Sequence, residues 1–224
     1  MDIFEFVRSF EEYSGLSDEE ILNLKELDLS YNQLTFLPES IGDLKNLEIL
    51  DLTNNQLTFL PESIGDLSNL QNLDLSNNQL TSLPESLEKL TNLKKLSLSF
   101  NKLSSLPESL LNLSNLEKLC LYCNKLTFLP ENLGDLSNLQ QLYLSENQLT
   151  SLPESIQNLS NLKSLWLNSN KLTPQTENVL KTLVMTNSVI TYLFTDDFDF
   201  SEELERNKRN DPAPGRTTVK SVEF

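Results

Sequence analysis

Three aspartates, Asp28, Asp51 and Asp74, recur at an interval of 23 residues, and two lysines, Lys95 and Lys118, share that interval. Continuing the aspartate series gives Ser97, Cys120, Tyr143 and the single tryptophan, Trp166. A row of carboxylates offers a docking strip for a basic segment, or oxygen ligands for a weakly held calcium ion. Its members repel one another, so the row is not expected to serve stability. Trp166, Tyr143, Tyr122 and Phe100 stand where other copies of the interval are polar or small. Trp and Tyr anchor interfaces because they bury large area with few rotatable bonds. Cys120 and Cys123 spell C-x-x-C, a redox spacing when it opens a helix. Here it falls on a strand and its bend, where the sulfurs are too far apart for a disulfide.

Composition removes whole classes of chemistry. The chain has 224 residues, no His, two Cys and a net charge of −16. Without His there is no imidazole base for a Ser or Cys nucleophile and no imidazole metal ligand. Two Cys build neither a four-ligand zinc site nor a disulfide framework. The negative charge disfavours nucleic acid as a partner. No apolar run approaches the roughly 18 residues of a membrane span. No nucleophile, base and oxyanion donor can be assembled. The expectation is a protein without enzymatic activity, cofactor or metal.

The elements that must position these side chains come from a repeat. The string L-x-x-L-x-L-x-x-N-x-L begins at Leu24, Leu47, Leu70, Leu93, Leu116, Leu139 and Leu162. Six copies continue as L-P-E-[SN]-[IL]-x-x-L-x-N, and the seventh departs after Leu172. The L-x-L core has period 2 and suits a short strand. The Pro suits the first position of a helical turn, and the Glu beside it favours the helix start. The Asn before each new copy suits a return bend. One repeat cannot bury its own leucines, but stacked repeats can. The expected fold is an α/β solenoid whose seven parallel strands span roughly 29 Å. Within it, Asn32, Asn55, Asn78, Asn101, Asn124, Asn147 and Asn170 form a structural ladder that hydrogen-bonds the turns.

This pattern resembles the leucine-rich repeat family, in its 23-residue L-P-x-x-[IL] type. It is similar to repeat proteins of bacteria and to intracellular scaffolds related to Ras-binding proteins. The resemblance covers residues 24–172. It implies a curved solenoid with a concave parallel sheet, short helical turns on the convex side, and protein recognition on the concave face. It names no partner.

The ends read differently. Residues 1–23 are expected to form an N-terminal helical cap: a helix over residues 1–14, with Ile3, Phe6, Val7, Phe10 and Tyr13 at helical spacing and Gly15 as its stop, then a capping box at Ser17 and Glu20. Residues 173–194 form a C-terminal cap: a helix carrying Val179, Leu180, Leu183 and Val184, then a strand from Val189 to Phe194. Residues 195–224 turn acidic and then mixed in charge, and are expected to be a disordered tail. Its Glu202, Glu203 and Glu205 are similar to translocation signals of some bacterial effectors, and Val222-Glu223-Phe224 to a C-terminal ligand of a PDZ groove.

Alternation along the strands puts positions 3, 5, 7 and 8 of each repeat on the concave face. The first three copies carry Asp28, Asp51 and Asp74. Later copies carry Lys95, Lys118, Phe100, Tyr122, Tyr143 and Trp166. Phe36, Phe59 and Phe128 lie on the flank, where neighbouring rings could stack. The expected function is recognition of a protein or peptide, with the aromatics as anchors, the lysines as polar selectors and the acidic strip favouring a basic segment. A monomer in the cytoplasm is expected, in keeping with reduced thiols. The alternative is a bacterial effector delivered into a host cell without a cleaved signal peptide, binding a host protein through the same face; a structural or self-associating scaffold is a lesser one.

Overall fold

A computed structural model describes residues 2–187, 190–196, 198–201 and 204–205. Each repeat contributes one three-residue strand: β1 Glu26–Asp28, β2 Ile49–Asp51, β3 Asn72–Asp74, β4 Lys95–Ser97, β5 Lys118–Cys120, β6 Gln141–Tyr143 and β7 Ser164–Trp166. The middle Leu of each of these strands is buried, and its neighbours, apart from buried Ser164, are at least partly exposed, as period 2 requires. An eighth strand, β8 Tyr192–Phe194, pairs parallel with β7, so the sheet runs β1 to β8 in chain order. Seven steps of about 4.8 Å give a sheet roughly 34 Å long, one step beyond the sequence expectation. Val189, placed in that last strand by its sequence, lies outside the described residues.

The leucines and isoleucines of successive repeats form one continuous core. Leu47, Leu50, Leu52, Leu57 and Leu67 of the second copy are fully buried, and the equivalent residues repeat this along the stack. Opposite the sheet, the L-P-E segments form short 3-10 turns such as Glu62–Asp66. Their prolines sit one position earlier than the sequence suggests. Pro61 is the cap, with φ −67° and ψ 150°, and its carbonyl accepts from Ile64 N–H. Extended ψ there lets the chain arrive straight before it turns. Two of the glutamates also reach the next repeat: Glu39 accepts from Ser63 N–H at 3.3 Å and Glu62 from Ser86 N–H at 3.2 Å.

Two asparagine ladders tie the stack together. Asn101 Nδ2 donates to Leu98 O of its own repeat at 3.0 Å and to Leu75 O of the preceding repeat at 2.9 Å. Its Oδ1 accepts from Leu80 N–H of the preceding repeat at 2.9 Å. Asn55, Asn78, Asn124, Asn147 and Asn170 do the same. Asn32 has no preceding repeat and donates to Ser30 O. The second ladder is formed by the residues read from sequence as local bends. Asn69, Asn92, Asn115, Asn138 and Asn161 each donate to a carbonyl 24 residues earlier, all at 2.8 Å.

In the N-terminal cap, the helix expected over residues 1–14 ends early, at Arg8. The cap divides into α1 Ile3–Arg8, a 3-10 segment Glu11–Tyr13 and α2 Asp18–Leu22. Ser9 closes α1, and Phe10 turns extended at φ −95° and ψ 134°, which lets its ring meet Phe6 edge-on at 5.3 Å. Ser17 and Glu20 form the capping box of α2. Arg8 bridges back to Asp18 and to Leu16 O. At the other end, α3 Gln175–Thr186 packs Leu180, Leu183 and Val184 over the core. Phe200, which the sequence places in the tail, is 4% exposed. It joins the hydrophobic core, with its ring 6.3 Å from that of Phe198. Residues 206–224, including the Val222-Glu223-Phe224 motif, lie outside the described residues, as do Glu202 and Glu203.

Candidate functional site

Registry brings the outward side chains of the strands into rows. Asp28 pairs with Asp51 and Asp51 with Asp74. These carboxylates have a local task that sequence reasoning missed. Each Oδ1 accepts from the backbone N–H two residues on, in Ser30, Thr53 and Ser76, at 2.8, 2.8 and 2.9 Å. The row therefore also secures the strand ends. Lys95 lies beside Lys118 on β4 and β5, and Cys120 beside Tyr143 on β5 and β6. The thiols of Cys120 and Cys123 are free. Burial raises both above the ordinary thiol pKa, so they are poor nucleophiles.

The aromatic anchors divide into two groups. In the first, Phe100 meets Tyr122 edge-on at 5.0 Å, and Tyr122 OH donates to Glu146 Oε1 at 2.7 Å. That bond to a carboxylate pushes the Tyr122 phenol up to about 12. In the second, Tyr143, Trp166 and Phe194 occupy one row across β6, β7 and β8. Trp166 lies between the other two rings, 5.7 Å from Tyr143 and 4.1 Å from Phe194. Tyr192 stacks parallel to Phe194 at 6.4 Å. Lys118 Nζ stands 5.2 Å above the Tyr143 ring, a cation–π distance. All three rings of the row are half-buried, so each keeps part of a face toward solvent.

Phe194, Tyr192 and Glu146 are the members of this surface that sequence reasoning passed over. A signal for the first two existed. Ile190-x-x-Leu193 repeats the L-x-x-L opening of each copy, but 28 residues after Leu162 instead of 23. The residues of position 8 share another feature. Tyr31, Asn54, Asn77, Phe100, Cys123, Glu146 and Ser169 all have φ between 53° and 58°. Asn tolerates this left-handed conformation, whereas Phe and Tyr adopt it at a cost. Phe100 and Tyr31 are nevertheless 44% and 76% exposed. On the flank, Phe36, Phe59 and Phe128 are exposed, and among the described residues no ring contact joins them.

A family model described as a leucine-rich repeat region matches residues 11–126, and one described as leucine rich repeat matches residues 114–172. The chain belongs to the leucine-rich repeat family. Among solved structures, this leucine-rich repeat chain is similar to a plant peptide hormone receptor, RGFR1, in complex with RGF2. Identity is 33%, TM-score 0.65, and the match covers 80% of this chain and 29% of the receptor. A leucine-rich repeat protein of Leptospira interrogans is 30% identical over 86% of this chain and 61% of its own, with TM-score 0.48. An internalin of Listeria monocytogenes shares the fold at 24% identity and TM-score 0.60, covering 85% of this chain and 62% of its own. The chain thus spans less than two thirds of each of these structures. No curated protein sequence matches it. Leucine-rich repeats typically build binding scaffolds rather than catalytic sites. Among the described residues no helix is long and apolar enough to cross a membrane, and no three acidic or thiol side chains converge on a metal geometry.

Proposed function

We propose that this chain is a non-enzymatic recognition module that holds a protein or peptide on the concave face of its sheet. The observation that carries this reading is the row Tyr143, Trp166 and Phe194: three aromatic rings on adjacent strands, in mutual contact, each half-open to solvent. Aromatic rings presented in this way on a rigid sheet supply binding area at low side-chain entropy cost. Tyr122 and Phe100 extend the surface, Lys95 and Lys118 select polar groups, and Asp28, Asp51 and Asp74 favour a basic segment. The plant receptor, solved with RGF2, is a relative of this fold that holds a partner. The module acts as a monomer, and two free thiols suit a reducing, cytoplasmic setting.

Affinity capture from lysate tests this, with wild type beside a Tyr122→Ala, Tyr143→Ala, Trp166→Ala triple variant. Because Trp166 supports two neighbouring rings, the variant's folding is checked by circular dichroism and urea unfolding. A protein retained by wild type and lost by a folded variant supports the reading. Equal capture by both moves recognition off the aromatic surface.

A further inference from the structure

Lys95 and Lys118 stand side by side in register on neighbouring strands, where like charges repel. The lysines one residue earlier in their repeats have partners. Lys25 pairs with Glu48 at 3.1 Å, Lys94 donates to Gln71 at 3.1 Å and Lys163 to Gln140 at 3.0 Å. On the sheet face, no described carboxylate lies within ion-pair distance of Lys95 or Lys118. This holds in a chain with 33 acidic residues and 17 basic ones. Lys118 leans over the Tyr143 ring instead. Two adjacent cations without a counter-charge, beside an aromatic row, leave room for a carboxylate from outside.

Three zones therefore follow one another along the sheet. Carboxylates occupy β1 to β3, ammonium groups β4 and β5, and rings β6 to β8. In the first zone one oxygen of each Asp is engaged by its own turn, and the second has no partner among the described residues. Successive zone centres are two and a half strand steps apart, about 12 Å at about 4.8 Å per step. An extended chain covers that distance in about four residues. The face is three residues wide, roughly 10 Å, which accommodates one extended chain lying across the strands.

We infer that this face reads an extended partner segment by an ordered charge code. The segment carries a basic side chain, an acidic one about four residues on, and an aromatic or large apolar one about four residues beyond. The inference rests on the recognition reading above and adds to it the acidic group, the order and the spacing. A segment with the two charges exchanged meets repulsion at both polar zones, so the order itself discriminates.

Fluorescence anisotropy with the full chain tests it, using labelled peptides of matched length made in both chain directions. One set carries Arg, Glu and Phe in that order at the derived spacing; the others carry Glu-Arg-Phe and Arg-Arg-Phe. At low salt the Arg-Glu-Phe peptide should bind at least about tenfold more tightly than either competitor, and added salt should shrink the gap. A Lys95→Glu, Lys118→Glu double variant should prefer Arg-Arg-Phe over Arg-Glu-Phe. Trp166→Ala should weaken all three. Equal affinity for all three peptides, lost in Trp166→Ala, overturns the charge code and leaves recognition on this face standing. Binding indifferent to Trp166→Ala sinks both. No binding to any peptide overturns the code, while the lysate capture still decides the broader reading. A concentration-dependent dimer that Trp166→Ala dissolves puts a second copy on the face and also overturns it.

Discussion

The phenol of Tyr13 takes the place of a missing strand beside Asp28. Its oxygen accepts from Asp28 N–H at 3.0 Å and donates to Asp28 O at 3.3 Å. Those are backbone groups on the free edge of β1, where no earlier repeat exists to pair them. An open parallel edge is a template for unwanted pairing, and one buried side chain blocks it at Asp28.

Tyr13→Phe keeps the ring and removes both bonds, so stability should fall by about 1–2 kcal/mol, read from urea unfolding. Alkaline titration adds a second signature. Burial raises the Tyr13 phenol above its ordinary value of 10.0, outweighing the lowering by the Asp28 N–H. The folded state therefore holds this proton more tightly than the unfolded chain. Stability from this group is intact below pH 10 and is lost as pH rises through the raised value. Tyr122 is raised as well, to about 12 by Glu146. The diagnostic quantity is thus the difference between wild type and Tyr13→Phe, which should shrink as pH rises through the raised value.

Asn101→Ala strands a buried N–H and leaves two buried carbonyls one donor short. Its cost should be at least about 2 kcal/mol. Asn32→Ala, at an exposed position with a single local bond from its amide, should cost less than about 1 kcal/mol. Equal losses in denaturant melts would show that the ladder does not act between repeats.

A methyl group added at Gly65 would stand 2.2 Å from Ser86 O and 2.8 Å from Ser86 C in the next repeat. The contact is with backbone, so a side chain cannot swing aside. Gly65→Ala should destabilise by about 1–3 kcal/mol. Gly15→Ala meets nothing within 4 Å and should change stability by less than about 0.5 kcal/mol. Paired thermal melts of the two variants check the contrast.

Cys123 sits at φ 55°, in the same column as Asn54 and Asn77. Cys123→Asn should raise stability by about 0.5–1 kcal/mol, since Asn tolerates that conformation better. The thiol itself is raised first by burial and then by the Glu146 carboxylate. Glu146→Gln should therefore speed its alkylation by iodoacetamide at fixed pH near 8. An unchanged rate would mean that the carboxylate does not act on this sulfur.

The repeat was legible because every copy keeps the same 23-residue spacing from Leu24 to Leu162, and strand alternation follows from L-x-L alone. The row of Tyr143 and Trp166 could be read from that register. Phe194 could not, because α3 intervenes and lengthens the last interval to 28 residues. The link between Tyr13 and Asp28 depends on a helix break at Ser9 and Phe10, which helical spacing of the apolar residues hides. The second asparagine ladder looked like a set of bends, since a bond to a carbonyl 24 residues earlier exists only once repeats stack. The Asp row was judged by charge repulsion, while its hydrogen bonds run along the chain to its own backbone.

The asparagine ladders point one way: every bond they make between repeats reaches back to the repeat before. On a ribosome, a newly emerged repeat is thus left with open backbone groups until its successor arrives to seal it. Growth from the N-terminal cap would proceed like a zip, with one unfinished tooth always at the front. Asn187, which donates to Leu159 O and Leu162 O, and Asp196, which accepts from Asn168 and Ser169, perform that sealing where the repeats stop. A translation pause at any repeat boundary would hold a partial solenoid with a single polar seam exposed.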